Sequence, residues 1–308
     1  MNIAKSGDTS RRRIAAVGMW DGVHCGHRFL IDFVRREAAS RSLVPSVITF
    51  RNHPLTVVRP EAAPRLLTDC DTRLDLLDAA GVADCVLLDF NDRLRHMPAR
   101  EFLAMLHERY AVDTLVVGFN NRFGHDRDLS RDSYAAVGRE TGMEVIAAPE
   151  FRRGRSRVSS SVVRSLVAEG RVDKARELLG RPFTISGTVV GGRQLGRRIG
   201  FPTANVSVSD PSLIIPGMGV YACVARTPDG VRRRAVVNIG RRPTVDVAGA
   251  PLSIEAHILD FAGELYSRTV VIEFVKNMRP ERAFESLDAL KKQLAADVRR
   301  ARRLLKNV

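Results

Sequence analysis

The chain has 308 residues, a formal charge of +14, 44% hydrophobic and 27% charged residues, a globular composition long enough for about two domains and unlike a disordered chain. No apolar run approaches the roughly 18 residues of a membrane span, and the stretch after Arg11-Arg12-Arg13 is too short for a secretory leader. Cys25, Cys70, Cys85 and Cys223 show no CxxC spacing, so a reduced cytoplasmic protein without a membrane partner is expected, its charge leaving nucleotides and nucleic acid equally open.

In chain order, strand-like runs at Ile14–Gly18, Val44–Phe50, Val82–Phe90, Leu115–Phe119 and Glu144–Ala148 alternate with amphipathic stretches at Phe29–Ser40, Thr72–Ala80, Ala99–Tyr110 and Ser130–Thr141. Short continuous apolar strands separated by helices predict βαβ units and a parallel, doubly wound sheet, with ligands bound beyond the strands' carboxyl ends. Two further helices are expected at Val162–Glu169, after Ser159-Ser160-Ser161, and at Val172–Leu179, stopped by Gly180 and Pro182. The domain boundary is placed there, giving residues 1–182 and 183–308. Beyond it, strands at Ile185–Val190, Val220–Ala225, Ala235–Ile239, Ser253–Leu259 and Val270–Val275 follow without intervening helices, and Pro228-Asp229-Gly230 is a hairpin signal. A small antiparallel barrel is expected, closed by a long helix from Pro280-Glu281 to about Lys306.

The sharpest motif lies between the first strand and the first helix: Gly18-Met-Trp-Asp21-Gly-Val-His24-Cys-Gly26-His27. Two imidazoles able to donate to phosphoryl oxygens, a glycine permitting close backbone approach and the orphan amides of a helix N-terminus together suit nucleotidylyl transfer. The second strand ends in Phe50-Arg-Asn-His53-Pro, putting another histidine at the same sheet edge, and the fourth in Gly118-Phe-Asn120-Asn-Arg122-Phe-Gly, whose Asn side chains and close-approach glycines suit a nucleotide base or ribose. Ser159, Ser160 and Arg164 form a candidate second phosphate clamp.

In the second half, Gly187-Thr-Val-Val-Gly191-Gly192 and Gly196-Arg-Arg-Ile-Gly200 run into Phe201-Pro202-Thr203-Ala204-Asn205. Flexible glycines over a phosphate, with Thr203 and Asn205 oxygens able to hold Mg²⁺, are parts of a phosphoryl-transfer site. No Gly-Lys-Ser/Thr ending follows, so it is not a Walker A loop. Period-2 alternation puts Ile254 and Ala256 on one face of a strand and Glu255 and His257 on the other. Glu255 is then a carboxylate projecting into the barrel mouth, a candidate general base for a primary hydroxyl.

These elements, with Ser-Ser-Ser-Val-Val-Arg, Asn238-Ile-Gly-Arg-Arg-Pro-Thr and the Phe274–Gln293 tail, make the chain resemble the bacterial bifunctional riboflavin kinase/FMN adenylyltransferase family almost end to end. The resemblance implies an N-terminal nucleotidyltransferase domain of Rossmann-like α/β fold that moves AMP from ATP onto FMN, releasing pyrophosphate. It also implies a six-stranded riboflavin kinase barrel. His24 and His27 would engage the ATP phosphates, and Gly18, Asp21, Gly26, His53, Asn120, Arg122, Ser159, Ser160 and Arg164 the nucleotide. Gly187, Gly191, Gly200, Pro202 and Arg279 would bind ATP and flavin, Thr203 and Asn205 the metal (Mg²⁺ or Mn²⁺), with Glu255 as base. Asn52, Asn121 and Ser267 depart from the family's commonest pattern, and the departures bear on the fine placement of FMN and adenine in the first site.

Two other readings follow from the residues: an enzyme with only one activity retained, and a basic nucleic-acid-binding protein. Against the latter, the runs Arg152–Arg157, Arg232–Arg234 and Arg299–Arg303 lack interleaved aromatics for base stacking, and aromatics make up only 6%. The expected partners are riboflavin, FMN and ATP, with no specific nucleic acid, in a monomer or weak homo-oligomer that yields FMN and FAD.

Overall fold

The computed structural model describes residues 1–118, 131–152, 158–192, 196, 199–208, 210–241 and 252–307, without the side chains of 131 and 132. By contacts it divides into two compact units, Met1–Ser160 and Ser161–Val308.

In the first unit six strands, β1 (Asn2–Ile3), β2 (Arg13–Val17), β3 (Val44–Phe50), β4 (Asp84–Leu88), β5 (Val112–Val117) and β6 (Glu144–Ala147), form one sheet in the order β1-β4-β3-β2-β5-β6. Every neighbouring pair is parallel. The helices are α1 (Cys25–Arg41), α2 (Leu55–Val58), α3 (Cys70–Ala79), α4 (Asp92–His96), α5 (Ala99–Tyr110) and α6 (Arg131–Glu140). Both sheet faces are dry, which is why these strands read as unbroken apolar runs. Ile14, Ala16 and Val47 pack with Ile31, Val34 and Leu77 on one face, and Ala15, Val17 and Ile48 with Phe102, Leu103 and Leu106 on the other.

At the amino ends of the strands, the fully buried Arg13 donates to Asp84 at 2.9 Å, to the Asp8 carboxylate at 2.8 Å and to the carbonyls of Asp8, Arg11 and Tyr110. The order of strand addition reverses at β2: β3 and β4 are laid down on one side of it, β5 and β6 on the other. The topological switch point therefore lies beyond the carboxyl ends of β2 and β5.

The second unit opens with α7 (Ser160–Ala168) and α8 (Val172–Leu179). Here α8 packs on the barrel strands β7 (Phe183–Val190) and β12 (Thr269–Arg279), burying Val172, Ala175 and Leu179. These two strands close a six-stranded antiparallel barrel with β8 (Ala204–Ser207), β9 (Gly219–Arg226), β10 (Arg232–Arg241) and β11 (Leu252–Ile258), in the order β10-β11-β8-β7-β12-β9. Along β9, β10 and β11 alternate residues face inward: Tyr221, Cys223, Val237, Ile239, Ile254 and Ala256 are all buried at 3% exposure or less. The opposite face of β9 and β10 carries Val220, Ala222, Val224 and Val236, which pack with Met278, Ala301 and Leu305 beneath the last helix, α9 (Leu287–Leu304).

That helix begins later than Pro280-Glu281 suggests. Ser286 is its cap, its hydroxyl accepting from the Ala289 amide at 3.1 Å, and residues 280–286 are irregular. Two strands have no counterpart among the expected runs: the two-residue edge strand β1, and β8, which is the Ala-Asn-Val-Ser stretch read only as a ligand loop. Ser267 adopts a left-handed φ of 59°, a conformation that costs an L-residue roughly 1–2 kcal/mol.

Candidate functional site

The first constellation occupies the switch point. The loop leaving β2 is strained: Trp20 (φ 55°) and Val23 (φ 37°) both take left-handed backbone, rare for a β-branched residue. Surrounding contacts hold it. Trp20 is buried and its Nε1–H donates to the Ile48 carbonyl at 3.1 Å. Asp21 is 2% exposed; its Oδ1 accepts from the Leu67 amide at 2.9 Å, the Thr68 amide at 3.1 Å and the Thr68 hydroxyl at 3.3 Å. The Gly22 amide donates to Thr68 Oγ1 at 3.2 Å, and the Ser160 hydroxyl to the Asp21 carbonyl at 2.9 Å. Asp21 and Ser160 therefore both fasten this loop. Thr68, which the motif reading does not single out, is the loop's other anchor.

The loop delivers His24 to the N-cap of α1, where its Nδ1 accepts from the His27 amide at 3.2 Å. The proton of a neutral His24 then sits on Nε2, from which it can be donated to a phosphoryl oxygen. The two imidazoles stack with centroids 3.6 Å apart and planes 13° from parallel. Burial first, and the neighbouring His24 second, hold His27 well below the usual imidazole pKa, so it is neutral at pH 7. Gly26 separates them for a steric reason: a Cβ there would lie 3.2 Å from His24 Cε1 and crowd the ring.

Around this pair, His53 Nδ1 accepts from the Leu55 amide at 3.1 Å at the start of α2. Asn52 grips the Phe90 peptide from both sides, donating to its carbonyl at 2.8 Å and accepting from its amide at 3.0 Å, which ties the exits of β3 and β4 together. Gly18 precedes the loop, its amide donating to the Ile48 carbonyl at 3.0 Å. Asn120, Asn121 and Arg122 lie outside the described residues. Ser159 stands at the entry to α7, and Arg164 one turn further donates to the Ser161 hydroxyl at 3.2 Å.

The second constellation is built on the barrel. Asn205 on β8, Glu255 on β11, Asn238 on β10 and Val220 on β9 stand directly opposite one another, forming one lateral row on a single face. Such antiparallel partners place their Cβ atoms about 4.5–5.5 Å apart. The face differs from the expected one. Ile254 and Ala256 fill the barrel interior, so Glu255 and His257 stand outside it rather than in its mouth. They line a cavity of about 260 Å³ whose apolar wall includes Leu290, Leu294 and Val298 of α9. Thr203, Asn238 and Glu281 are also in the lining. The Asn238 amide donates to Glu281 at 3.0 Å, and the His257 Nδ1–H to the Pro202 carbonyl at 2.7 Å, which fixes the loop ahead of Thr203.

Glycines open this site where the chain passes close. A Cβ at Gly192 would fall 2.1 Å from Asn205 Nδ2, and one at Gly196 would fall 3.2 Å from Thr203 Oγ1. Gly200 takes a left-handed φ of 86°, while Gly191 has open space around it. Gly187 serves the barrel itself, since a Cβ would collide with the Ser207 carbonyl oxygen of β8 at 2.6 Å. Arg279 reaches the same cavity but is held by Asp297 of α9 through three hydrogen bonds of 2.7–3.1 Å, pinning helix to barrel. Neutral oxygens of Thr203 and Asn205 beside the Glu255 carboxylate are hard donors that fit Mg²⁺. No three-residue His/Cys/Asp/Glu group that could hold a metal occurs among the described residues.

Comparison with known proteins assigns a family to each half of the chain. The FAD synthetase family profile matches residues 7–162 and the riboflavin kinase profile residues 179–305. The bifunctional riboflavin kinase/FMN adenylyltransferase of Escherichia coli K12 is 37% identical, over 94% of this chain and 91% of that protein. The Pseudomonas fluorescens protein of that name is 38% identical (94% and 92% covered), and the Bacillus subtilis one 30% (96% and 94%). A crystal structure described as a macrolide-efflux protein from Streptococcus pneumoniae superposes with a TM-score of 0.88 at 28% identity, covering 97% of this chain and 98% of that one. With both profiles matched in order and relatives aligned over nearly the whole length, the chain belongs to the bifunctional riboflavin kinase/FMN adenylyltransferase family.

Proposed function

We propose that the two activities are carried by two separate residue sets: His24 and His27 in the sheet unit for adenylylation of FMN, and Glu255 with Thr203 and Asn205 in the barrel unit for phosphorylation of riboflavin. The observation that carries this division is the cross-strand row Asn205–Glu255–Asn238, which faces a cavity in the second unit, while the stacked histidines occupy the switch point of the first.

In the kinase half the Glu255 carboxylate accepts the proton of the riboflavin primary hydroxyl as its oxygen attacks the γ-phosphorus of ATP. The apolar wall of α9 and the partly buried floor of β10 and β11 exclude water, which would compete for the phosphoryl group. Thr203 and Asn205 would hold Mg²⁺, which when bound neutralises phosphate charge. Gly192 and Gly196 let the backbone come down over these two residues.

In the adenylyltransferase half a phosphate oxygen of FMN displaces pyrophosphate from the α-phosphorus of ATP. Neutral imidazoles donate single N–H groups to oxygens that gain charge in the transition state, and the first-turn amides of α1 add their dipoles. His53, Asn120, Arg122, Ser159, Ser160 and Arg164 complete nucleotide binding in this reading, and Gly187, Gly191, Gly200, Pro202 and Arg279 shape the kinase site. The adenylyltransferase is assigned to residues 1–182 and the kinase to 183–308, in a cytoplasmic monomer or weak homo-oligomer without a specific nucleic-acid partner. Chromatography of the protein incubated with riboflavin, ATP and Mg²⁺ tests the reading: FMN should appear first and FAD after it. Absence of both products would overturn it.

A further inference from the structure

Arg73 on α3 is completely buried, yet no carboxylate of the described residues pairs with it. Its Nη2 donates to the Phe50 carbonyl at 2.5 Å and to Cys70 Sγ at 3.6 Å, while Nε and Nη1 have no hydrogen-bond partner among the described residues. Asp69, the cap of the same helix, is engaged by the Thr72 amide at 2.7 Å and the Thr72 hydroxyl at 3.0 Å. A buried guanidinium with two unspent donors is a site short of one anion. The group beside it is a thiol. Cys70 is the first residue of α3 and is partly exposed, so small reagents reach a sulfur that already accepts a guanidinium hydrogen bond.

We propose that Cys70 is an oxidant-sensing thiol whose oxyacid supplies the anionic partner Arg73 lacks, and that this oxidation lowers the adenylyltransferase activity while sparing the kinase. The oxidant is hydrogen peroxide. The sulfur attacks one peroxide oxygen; the S–O bond forms as the O–O bond breaks, and the departing hydroxide takes the thiol proton to leave as water. Sulfur is oxidised by two electrons and peroxide is reduced by two. The sulfenic acid, on losing its proton to solvent, presents an anionic oxygen to the unspent N–H groups of Arg73.

Selectivity follows from burial. Cys85 and Cys223 are enclosed, and burial pushes both thiols up, Cys85 to about 12, so they stay protonated and inert. Cys25, in the first turn of α1, is the one rival that is also partly exposed. The consequence for activity comes through two clamps. Arg73 holds the carbonyl at the end of β3, from which Asn52 and His53 extend, and α3 starts just after Leu67-Thr68, whose amides hold Asp21. Turning the guanidinium toward a new oxygen loosens the first clamp and tilts the second.

The regulatory half rests on the adenylyltransferase reading; the chemical half does not. The full-length protein is exposed to graded hydrogen peroxide and trapped with a 1,3-diketone that captures sulfenic acids. Adducts are mapped by mass spectrometry, and FMN and FAD formation are assayed in parallel. The diketone adduct should appear on Cys70 ahead of Cys25, with most FAD formation lost, FMN formation kept and recovery on thiol reduction. Cys70→Ser should keep FAD formation at the same peroxide dose. Adducts on Cys25 with Cys70 unmodified would overturn the proposal, as would Cys70→Ser losing FAD formation at the wild-type dose. If untreated protein made no FAD, the adenylyltransferase reading would fail and mapping would still decide the chemistry at Cys70.

Discussion

The two sites handle the same co-substrate by opposite constructions. The sheet site is assembled where strands end: a strained loop, a capped helix and backbone amides converge there, and its imidazoles are stacked, with His24 buried. The barrel site is laid across the middle of strands, its polar row ruled by β-register and roofed by a helix. Precision in the first comes from many contacts that over-determine a loop, including four hydrogen bonds within residues 21, 22, 67 and 68. In the second it comes from the ladder, which sets Asn205 against Glu255 at no extra cost. A loop-built site should thus be sensitive at its supports, and a ladder-built one at its roof and its glycines.

The largest effect expected is from Glu255→Gln, which removes the proposed general base and should lower FMN formation by about 10²–10⁴-fold while FAD formation from supplied FMN persists. His27→Ala should do the converse, lowering FAD formation by about 10²–10³-fold, the loss typical of one transition-state donor. Joint loss of both activities in either variant, with the fold intact by circular dichroism, would break the comparison.

Gly26→Ala sharpens it. Crowding the His24 ring from 3.2 Å should cost FAD formation up to about 10²-fold with little change in melting temperature. The roof of the barrel site is addressed by Arg279→Ala. Arg279 and Asp297 are 16% and 3% exposed, so leaving the Asp297 charge without its cation, with only the Gln293 amide among the described residues donating to it, should destabilise the barrel by roughly 2–4 kcal/mol in denaturant unfolding and lower kinase activity only as α9 loosens. The smallest effect concerns pH. His27 binds its proton more weakly folded than unfolded, so between its lowered folded pKa and about 6.5 the unfolded state holds more protons and stability rises with pH. Wild-type stability should fall on acidification below pH 6.5 with a slope of at most about 1.4 kcal/mol per pH unit, shallower in His27→Gln.

Much of this was legible from residue patterns, because the elements in question are periodic. Val172–Leu179, with Gly180 and Pro182 behind it, matches the observed helix at both ends, and Val44–Phe50 matches its strand. Elements too short to show a period were not legible: β1 has two residues, and β8 has four with a single buried one. Alternation along β11 separated Glu255 from Ile254 correctly but could not say which face was interior. That depends on α9, a partner some 40 residues away in sequence that covers the outer face. Asp21 and Arg279 show a different limit. A carboxylate in a phosphate loop or an arginine in a nucleotide cavity suits ligand and scaffold equally, and only the partners Leu67, Thr68 and Asp297 reveal the scaffold. The arginine surplus likewise hides specific ties: Arg13 and Arg73 are fully buried.

Barrel closure has a consequence for synthesis. The strand that seals the barrel, β12, pairs with both β7 and β9 and is the last strand translated, whereas the parallel sheet is complete once Ala147 exists. Domains generally fold in the order they leave the ribosome. A message cut anywhere between codons 191 and 268 would therefore release a finished sheet attached to a barrel that cannot shut. Such a fragment would draw down FMN without replenishing it, so truncated transcripts of this gene would be costlier to the cell than none.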